Sequence, residues 1–177
     1  MKSAATPSTA HTPPPLGALA TLVENVHGLF ERIPHSLIAL LARFSIAAVF
    51  WKSGQTKVQN FEIDIVDGVF KPGWPRLSDS VVDLFRYEYE LPVIPPVIGA
   101  VMAATAEHLL PIALLLGFAT RLSALGLLGM TAVIQLLVYP GAYPTHGTWA
   151  AVLLFLMVSG PGRISIDHWL AGRFGPR

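Results

Sequence analysis

Pro96 to Leu116 reads PVIGAVMAATAEHLLPIALLL, a nearly unbroken apolar run with Glu107 and His108 close to its middle. About 20 apolar residues at a rise of about 1.5 Å per residue match the hydrocarbon thickness of a bilayer, so we predict a transmembrane helix. An acidic residue at mid-bilayer costs about 2.5 to 3.5 kcal/mol on insertion scales and normally faces the bundle interior, where it finds a partner. The rest of the chain should therefore supply a cation at the same depth.

The composition is that of a membrane protein. Of the 177 residues, 53% are hydrophobic and 13% are charged, and the mean hydropathy is +0.55; soluble domains carry about 25% charged residues. The 12 basic and 11 acidic residues give a net charge of +1, which argues against nucleic acid as a partner. The absence of cysteine excludes thiolate nucleophiles, cysteine-ligated clusters and covalent haem. Any redox role must then use a bound cofactor or a partner subunit.

The N-terminal part differs in composition from the rest of the chain. Residues 1–15 are rich in Pro, Ser and Thr, and we expect a disordered tail because they carry too little apolar surface to offset the entropy of ordering. Residues 16–33 place apolar side chains at helical spacing, which predicts an amphipathic helix in the membrane interface that ends at Pro34. A helix packed on a partner would give the same pattern. We expect no cleavable signal peptide, so the first span should remain as an anchor.

Four apolar segments predict an all-α, polytopic membrane protein with a four-transmembrane-helix bundle over residues 34–170. The spans are expected at about residues 35–54, 96–116, 121–139 and 147–162. The long connection of residues 58–91 contains turn-forming glycines and prolines and a helical pattern after Ser78, so we expect a partly helical outer loop. It could be a lid over the bundle, with Trp74, Phe85, Tyr87 and Tyr89 at the interface, or only a tether.

The basic residues predict the orientation of the chain. An even number of spans puts both termini on one side, which carries Lys2, Arg32, Arg121, Arg163, Arg173 and Arg177. The opposite side has the long, net acidic connection and a second loop without Lys or Arg, although Lys52 and Lys57 argue weakly the other way. Because positive residues favour the cytoplasm, we expect both termini there.

Five polar side chains are the candidates for a buried site: Arg43, Glu107, His108, Gln135 and His146. Arg43 and Glu107 each lie about 13 to 15 Å from the side of the termini, so adjacent antiparallel helices should bring them together as an ion pair. His108 lies about 100° around the helix from Glu107 and should face a different helix or cavity wall. Gln135 and His146 should lie nearer the outer side.

These residues allow two interpretations. A buried Arg–Glu pair can serve only to fix which helices pack and in what register. Alternatively, Arg43, Glu107 and His108 line a site for a quinone, a proton or a small polar substrate, and a histidine beside a carboxylate is suited to carry a proton. A haem held by His108 and His146 would need the two at one depth, which their positions do not give. No metal site is predicted.

Three stretches of the chain carry a resemblance to a known family: Arg43 followed by Phe50, Gly54 and Lys57, the block AEHLLPIALLLGFATRLSALGLLGM at residues 106–130, and SGPGRISIDHWL at residues 159–170. Together they resemble the DoxX family of small bacterial inner-membrane proteins. LFRYEYELPVIPP, residues 84–96, is similar to the outer loop of proteobacterial members. The resemblance implies a four-helix bundle in the inner membrane and a link to membrane redox chemistry, since the related DoxD proteins are similar to a thiosulfate:quinone oxidoreductase subunit.

Three functions are consistent with the sequence. The first is an integral-membrane subunit that binds quinone or another small amphipathic molecule and supports electron transfer by a redox partner subunit, at most an accessory part of an oxidoreductase. The second is a non-catalytic scaffold or assembly factor with a structural Arg43–Glu107 pair. The third is a small-solute or metal permease, which the lack of an evident inverted repeat disfavours. Four short helices leave little room for a private cavity, so a homo-oligomer is also considered.

Overall fold

The computed structural model describes residues 15–64 and 68–174, and the chain divides into two units, Met1–Pro34 and His35–Arg177. Apart from Pro15, the tail predicted at residues 1–15 lies outside the described residues. The first unit contains helix α1, Pro15–Glu31. The amide of Ile33 then donates to the Phe30 carbonyl at 3.0 Å, which closes the helix just before Pro34. The helix therefore ends where proline would break it.

The second unit is mostly helical. Its helices are α2, His35–Gln55; α3, Asp79–Leu84; α4, Pro96–Leu116; α5, Thr120–Val133; α6, Tyr143–Ser159; and α7, Ile166–Phe174. π-Helical turns follow α3 at Phe85–Tyr89 and α5 at Ile134–Val138, and a short 3₁₀ turn, Pro140–Ala142, precedes α6. Helix α6 thus both begins and ends a few residues earlier in the chain than the fourth span expected at residues 147–162.

The connection between α2 and α4 also contains short strands. β1, Val58–Gln59, pairs antiparallel with β4, Arg76–Leu77, and β2, Glu62–Asp64, pairs antiparallel with β3, Val69–Lys71. The sequence predicted a helical segment here but not these strands, because two or three residues are too few to show a period of two. The strand pairs hold the connection close to the end of α2.

Helix α2 packs along α4, α5 packs along α6, and the two pairs meet through α4 with α5 and α2 with α6. The pair α2 and α4 is antiparallel, since Arg43 lies near Leu115 whereas Gln55 lies near His108. One hydrophobic core joins the four helices through Ile46, Phe50, Leu114, Ala124, Leu127, Leu153 and Leu156. A smaller cluster of Val81, Phe85 and Ala100 fixes α3 and the following turn against α4.

Polar and apolar side chains are distributed as in a membrane protein. Leu41, Leu136 and Val158 are 63%, 74% and 78% exposed, whereas Arg43 and Glu107 are 1% and 3% exposed. Within the described residues, three helical segments are long and apolar enough to cross a bilayer: His35–Gln55, Pro96–Leu116 and Thr120–Val138. Their exposed apolar faces contact lipid, because burial of polar groups inside and exposure of leucines outside is favourable only in hydrocarbon.

Candidate functional site

The centre of the site is a buried ion pair between Lys57 and Glu107. The Lys57 ammonium lies 2.7 Å from Oε2 of Glu107, and the two side chains are 6% and 4% exposed. Lys57 follows the last turn of α2, and its side chain returns along the helix to donate to the Ser53 carbonyl at 3.3 Å and to the Ser53 hydroxyl at 3.1 Å. The cation that Glu107 needs inside the bundle is therefore Lys57.

The predicted ion pair between Arg43 and Glu107 is wrong. The Arg43 guanidinium instead donates to two backbone carbonyls, those of Leu115 at 3.4 Å and Ile164 at 2.5 Å. The Cα–Cβ bonds of a helix tilt toward its own N-terminus. The register of the antiparallel helices α2 and α4 also separates the two residues, because Glu107 lies beside Gly54 whereas Arg43, about 16 Å further along α2, lies beside Leu115 and Gly117.

Arg43 belongs to a separate polar cluster where α4 turns into α5. The Asp167 carboxylate accepts hydrogen bonds from the amides of Ala119 at 2.8 Å and Thr120 at 2.9 Å. The Asp167 amide in turn donates to the Gly117 carbonyl at 2.8 Å. These bonds, together with the Arg43 guanidinium on the Ile164 carbonyl, attach the segment leading into α7 to the end of α4. The role of this cluster is therefore to stabilise the packing of the C-terminal segment against the end of α4.

The close approach of α2 and α4 places both Glu107 and His108 of α4 against Gly54 of α2. A Cβ added to Gly54 would lie 3.1 Å from Cβ of Glu107 and 3.0 Å from the ring of His108, so a larger residue would push the helices apart. His108 then turns away from Glu107 toward Trp51 and Phe61, whose rings lie 5.1 and 6.2 Å from its own. Glu107 and His108, although adjacent in sequence, thus lie at two different walls of the bundle.

Both ring nitrogens of His108 already have hydrogen bonds. Nδ1 lies 2.6 Å from the Ala104 carbonyl, and Nε2 lies 2.9 Å from the Gln55 amide nitrogen. The Gln55 carbonyl accepts from the Ile63 amide at 2.7 Å, which fixes the direction of the side-chain amide. A carbonyl oxygen only accepts, so Nδ1 of His108 carries the proton and Nε2 accepts from Gln55. This arrangement leaves His108 no nitrogen for a ligand.

A cavity of about 190 Å³ opens beside the ion pair. Helices α2, α4, α5 and α6 and the turn after α3 all contribute to its walls. Its polar and aromatic lining consists of Ser53, Lys57, Glu107, His146, Phe50, Phe85, Tyr89, Tyr139 and Trp149. An apolar, aromatic wall with a few convergent polar groups is typical of sites for small organic ligands.

Gln135 and His146 come together beside this cavity. The Gln135 carbonyl lies 2.8 Å from Nδ1 of His146, and the Gln135 amide nitrogen donates to the Pro140 carbonyl at 2.6 Å. The His146 ring, 5% exposed, packs against Trp149 with 5.0 Å between ring centroids. Of the five polar residues singled out from the sequence, Glu107 and His146 line the cavity, and Gln135 supports His146.

The π-helical turn Phe85–Tyr89 covers one side of the cavity. The Tyr139 phenol donates to the Glu88 carboxylate, and the Tyr89 ring contacts Tyr139 at 5.8 Å and Phe85 at 4.8 Å. Burial raises the pKa of the Tyr89 phenol, which therefore stays protonated. π-Helical turns occur often at functional sites. Trp74 and Tyr87, by contrast, are 85% and 71% exposed and take no part in the cavity wall.

Sequence reasoning missed Lys57 as the partner of Glu107. Two signals pointed to it: Ser53 and Lys57 are four residues apart, as helical neighbours are, and Lys57 belongs to the stretch that resembles DoxX proteins. In the described ranges, no group of three or more His, Asp or Glu side chains is arranged to hold a metal ion.

Comparison with known proteins bears on the identity of the whole membrane unit. Neither the curated proteins nor the solved structures gave a match to this chain. A family model described as DoxX does match, over residues 38–140, which is more than half of the 177 residues. The matched range holds most of α2, all of α4 and α5, and both Lys57 and Glu107, and it shows that the chain belongs to the DoxX family.

Proposed function

We propose that this chain is an integral-membrane subunit that binds quinone, or another small amphipathic molecule, in the cavity beside Lys57 and Glu107. The observation that carries the proposal is a buried ion pair at the wall of an aromatic-lined cavity of about 190 Å³. Binding there would support a redox partner subunit, since the chain has no cysteine with which to carry electrons itself.

The polar groups of the cavity suit an oxygen-bearing head group. The three N–H donors of the Lys57 ammonium are engaged by Glu107 and by the carbonyl and hydroxyl of Ser53, whereas the Glu107 carboxylate can accept further hydrogen bonds beyond its contact with Lys57. A hydroxyl of a ligand can therefore donate to Glu107. The aromatic rings of Phe50 and Trp149, 5.5 Å apart, give the ring of such a ligand an apolar surface.

The membrane arrangement that fits this role is a bundle of four spans. Helix α6 has 17 residues, and the Pro140–Ala142 turn in front of it extends the segment to a length of about 20 residues, enough to cross. Its packing along α5 supports a return through the same bilayer. The end of the bundle with Arg121, Arg163 and Arg173 is then cytoplasmic, in a bacterial inner membrane, as are both termini. Helix α1 lies in the interface.

Ligand co-purification tests the proposal. The full chain is purified from membranes, extracted with organic solvent and examined by mass spectrometry for quinones and similar molecules. Glu107→Gln preserves the size of the side chain and removes its charge, so the bound molecule should be lost. Glu62→Gln is the matched control, because Glu62 pairs with Lys71 on the exposed α2–α4 connection. Undiminished binding by the folded Glu107→Gln protein would reject the assigned role.

A scaffold or assembly factor is the second candidate. The observation that favours it is that the terminal nitrogens of Arg43 and both ring nitrogens of His108 bond to groups within the chain, as structural polar residues do. In that case the double substitution Lys57→Met with Glu107→Met should retain partner association and complementation of a deletion strain, because no ligand has to bind. Loss of complementation by a well-folded double variant would favour the ligand-binding function.

A further inference from the structure

The hydrogen bonds around His146 fix where its proton lies. The Gln135 amide nitrogen donates to the Pro140 carbonyl at 2.6 Å, which directs the Gln135 carbonyl oxygen toward His146. That oxygen lies 2.8 Å from Nδ1 of His146, and because a carbonyl only accepts, Nδ1 must carry the hydrogen. In the neutral ring, Nε2 is then an acceptor with a free lone pair.

This lone pair belongs to a buried ring at the cavity wall. His146 is 5% exposed and lines the cavity, and no hydrogen bond to its Nε2 comes from the described residues. His108, in the same bundle, differs from His146 because both of its ring nitrogens are bonded to protein groups. His146 therefore has one acceptor to offer a ligand, and His108 has none.

We infer that the cavity selects a ligand with a hydroxyl on a single aromatic ring, a phenol or the reduced, hydroquinone form of a quinone, through an O–H···Nε2 hydrogen bond to His146. The inference rests on the proposed ligand-binding function and names the form of the ligand that this site prefers. A carbonyl oxygen or a methyl ether in the same position has no hydrogen to donate and would face the lone pair of Nε2 unfavourably.

The size and walls of the cavity fit one ring. A cavity of about 150 Å³ in another protein holds benzene, and this one measures about 190 Å³. The Trp149 ring lies 5.0 Å from His146 and 5.5 Å from Phe50, so an aromatic head group placed beside Nε2 would lie against these rings. Offset and edge-to-face contacts between rings are favourable at such separations.

Calorimetric titration of the full chain in lipid nanodiscs tests the selection. The probes are 2,3-dimethoxy-5-methylhydroquinone, its O,O′-dimethyl ether and the corresponding oxidised quinone, with the hydroquinone kept under anaerobic conditions. Loss of one hydrogen bond to a buried acceptor should weaken binding of the ether and of the quinone by about tenfold or more. Equal affinities for the hydroquinone and the ether would overturn the inference.

A variant assigns the selection to His146. His146→Phe retains a ring and removes the acceptor, so the preference for the hydroquinone over the ether should disappear. His168→Phe is the control, because the exposed His168 lies on α7, away from the cavity, and should leave the preference intact. A preference that survives in folded His146→Phe protein would overturn the assignment.

Nitrogen NMR gives a readout that does not depend on the folding of a variant. In the wild-type chain labelled with ¹⁵N-histidine, His146 should show a protonated Nδ1 and an unprotonated Nε2, and the Nε2 signal should shift on addition of the hydroquinone. A protonated Nε2 would overturn the inference whether or not anything binds. Binding of the ether as tightly as the hydroquinone would leave the proposed function standing, whereas binding of neither probe would remove both.

Discussion

Lys57 and Glu107 form an ion pair of 2.7 Å inside the bundle, although Lys57 comes after the last residue of α2. The long lysine side chain leans back toward the N-terminus of α2, while the Glu107 side chain leans toward the N-terminus of the antiparallel α4. The two therefore meet at the same end of the bundle. Ser53 adds a hydroxyl and a carbonyl to the ammonium, so the charge is neutralised and also hydrogen-bonded.

Replacing one partner of this ion pair should destabilise the protein far more than replacing both partners. Lys57→Met leaves a carboxylate buried without its cation, and we expect a loss of about 3 to 5 kcal/mol in the free energy of unfolding. Lys57→Met combined with Glu107→Met replaces both charges by apolar side chains and should recover most of that loss. Unfolding in mixed detergent micelles, followed by circular dichroism, measures both.

The exposed pair Lys71 and Glu62 is the matched control for this double-mutant cycle. Its contact is also 2.7 Å, but the two side chains are 71% and 48% exposed. An ion pair in water contributes only about 0 to 1 kcal/mol, so Lys71→Met should change stability little. If Lys57→Met were equally mild, the pair would not be desolvated and the buried site would have to be abandoned.

We expect Arg43 to stabilise the attachment of the C-terminal helix α7 and to have no role in ligand binding at the cavity. In Arg43→Gln the carbonyls of Leu115 and Ile164 lose the guanidinium that now bonds both of them. We expect amide hydrogen exchange over Ile166–Phe174 to accelerate by about tenfold, because a local opening costs less once these bonds are gone. Ligand affinity at the cavity should stay unchanged.

Arg121→Gln provides the comparison for Arg43, since Arg121 is exposed and, within the described part of the chain, bonds only the Val158 carbonyl, at 3.5 Å. Its exchange pattern should match that of the wild type. Unaltered exchange of α7 in Arg43→Gln would mean that Asp167, through the amides of Ala119 and Thr120, suffices to hold the segment.

The apolar helices could be predicted from the sequence for clear physical reasons. Proline commonly stands in the first turn of a helix and glycine after its last turn, as Pro96 and Gly117 do in α4. Gly117 adopts the left-handed conformation, with φ of 67°, that favours glycine. An apolar run between such residues has few alternatives in a bilayer. The mostly helical class and the family follow from features of this kind.

Side-chain pairing could not be predicted in the same way. Counting residues from the helix ends places the Cα atoms of Arg43 and Glu107 at one level, but it does not give the register between the helices, which sets Glu107 beside Gly54 and Arg43 beside Gly117. The sequence places Lys57 on the outer side, after the first span, and does not show that its side chain folds back onto Ser53. The hydrogen bond from His146 to Gln135 joins residues on two different helical segments, so no local pattern contains it.

Gly117 should not tolerate a side chain. Its φ of 67° is unfavourable for alanine, and an added Cβ would lie 2.1 Å from Nη1 of Arg43 and 2.4 Å from Cβ of Ser165. We expect Gly117→Ala to lower the free energy of unfolding by about 2 kcal/mol or more, from backbone strain and from displacement of the guanidinium.

Gly129→Ala is the matched control for Gly117→Ala. Gly129 lies inside α5, and nothing lies within 4 Å of a Cβ added there. Alanine is favoured over glycine inside a helix by about 0.5 to 1 kcal/mol, so this variant should be neutral or slightly more stable. Thermal unfolding of both variants in the same detergent checks the contrast, and equal destabilisation would contradict the assigned contact between Gly117 and Arg43.

Tyr139 and Glu88 should control how fast a ligand enters and leaves the cavity. The Tyr139 phenol, at the end of the Ile134–Val138 turn, bonds the carboxylate of Glu88 on the Phe85–Tyr89 turn, and this bond joins two segments that contribute to the cavity wall. Tyr139→Phe keeps the ring and removes the hydroxyl, so the turn should open more often. Association and dissociation rates of a hydroquinone, measured by stopped-flow tryptophan fluorescence, should then rise together by about threefold to tenfold, with the equilibrium constant nearly unchanged.

Tyr87→Phe is the control, because Tyr87 is 71% exposed and its ring contacts Arg86, so its rates should equal those of the wild type. A Tyr139→Phe protein that loses affinity without faster exchange would instead place the phenol in direct contact with the ligand.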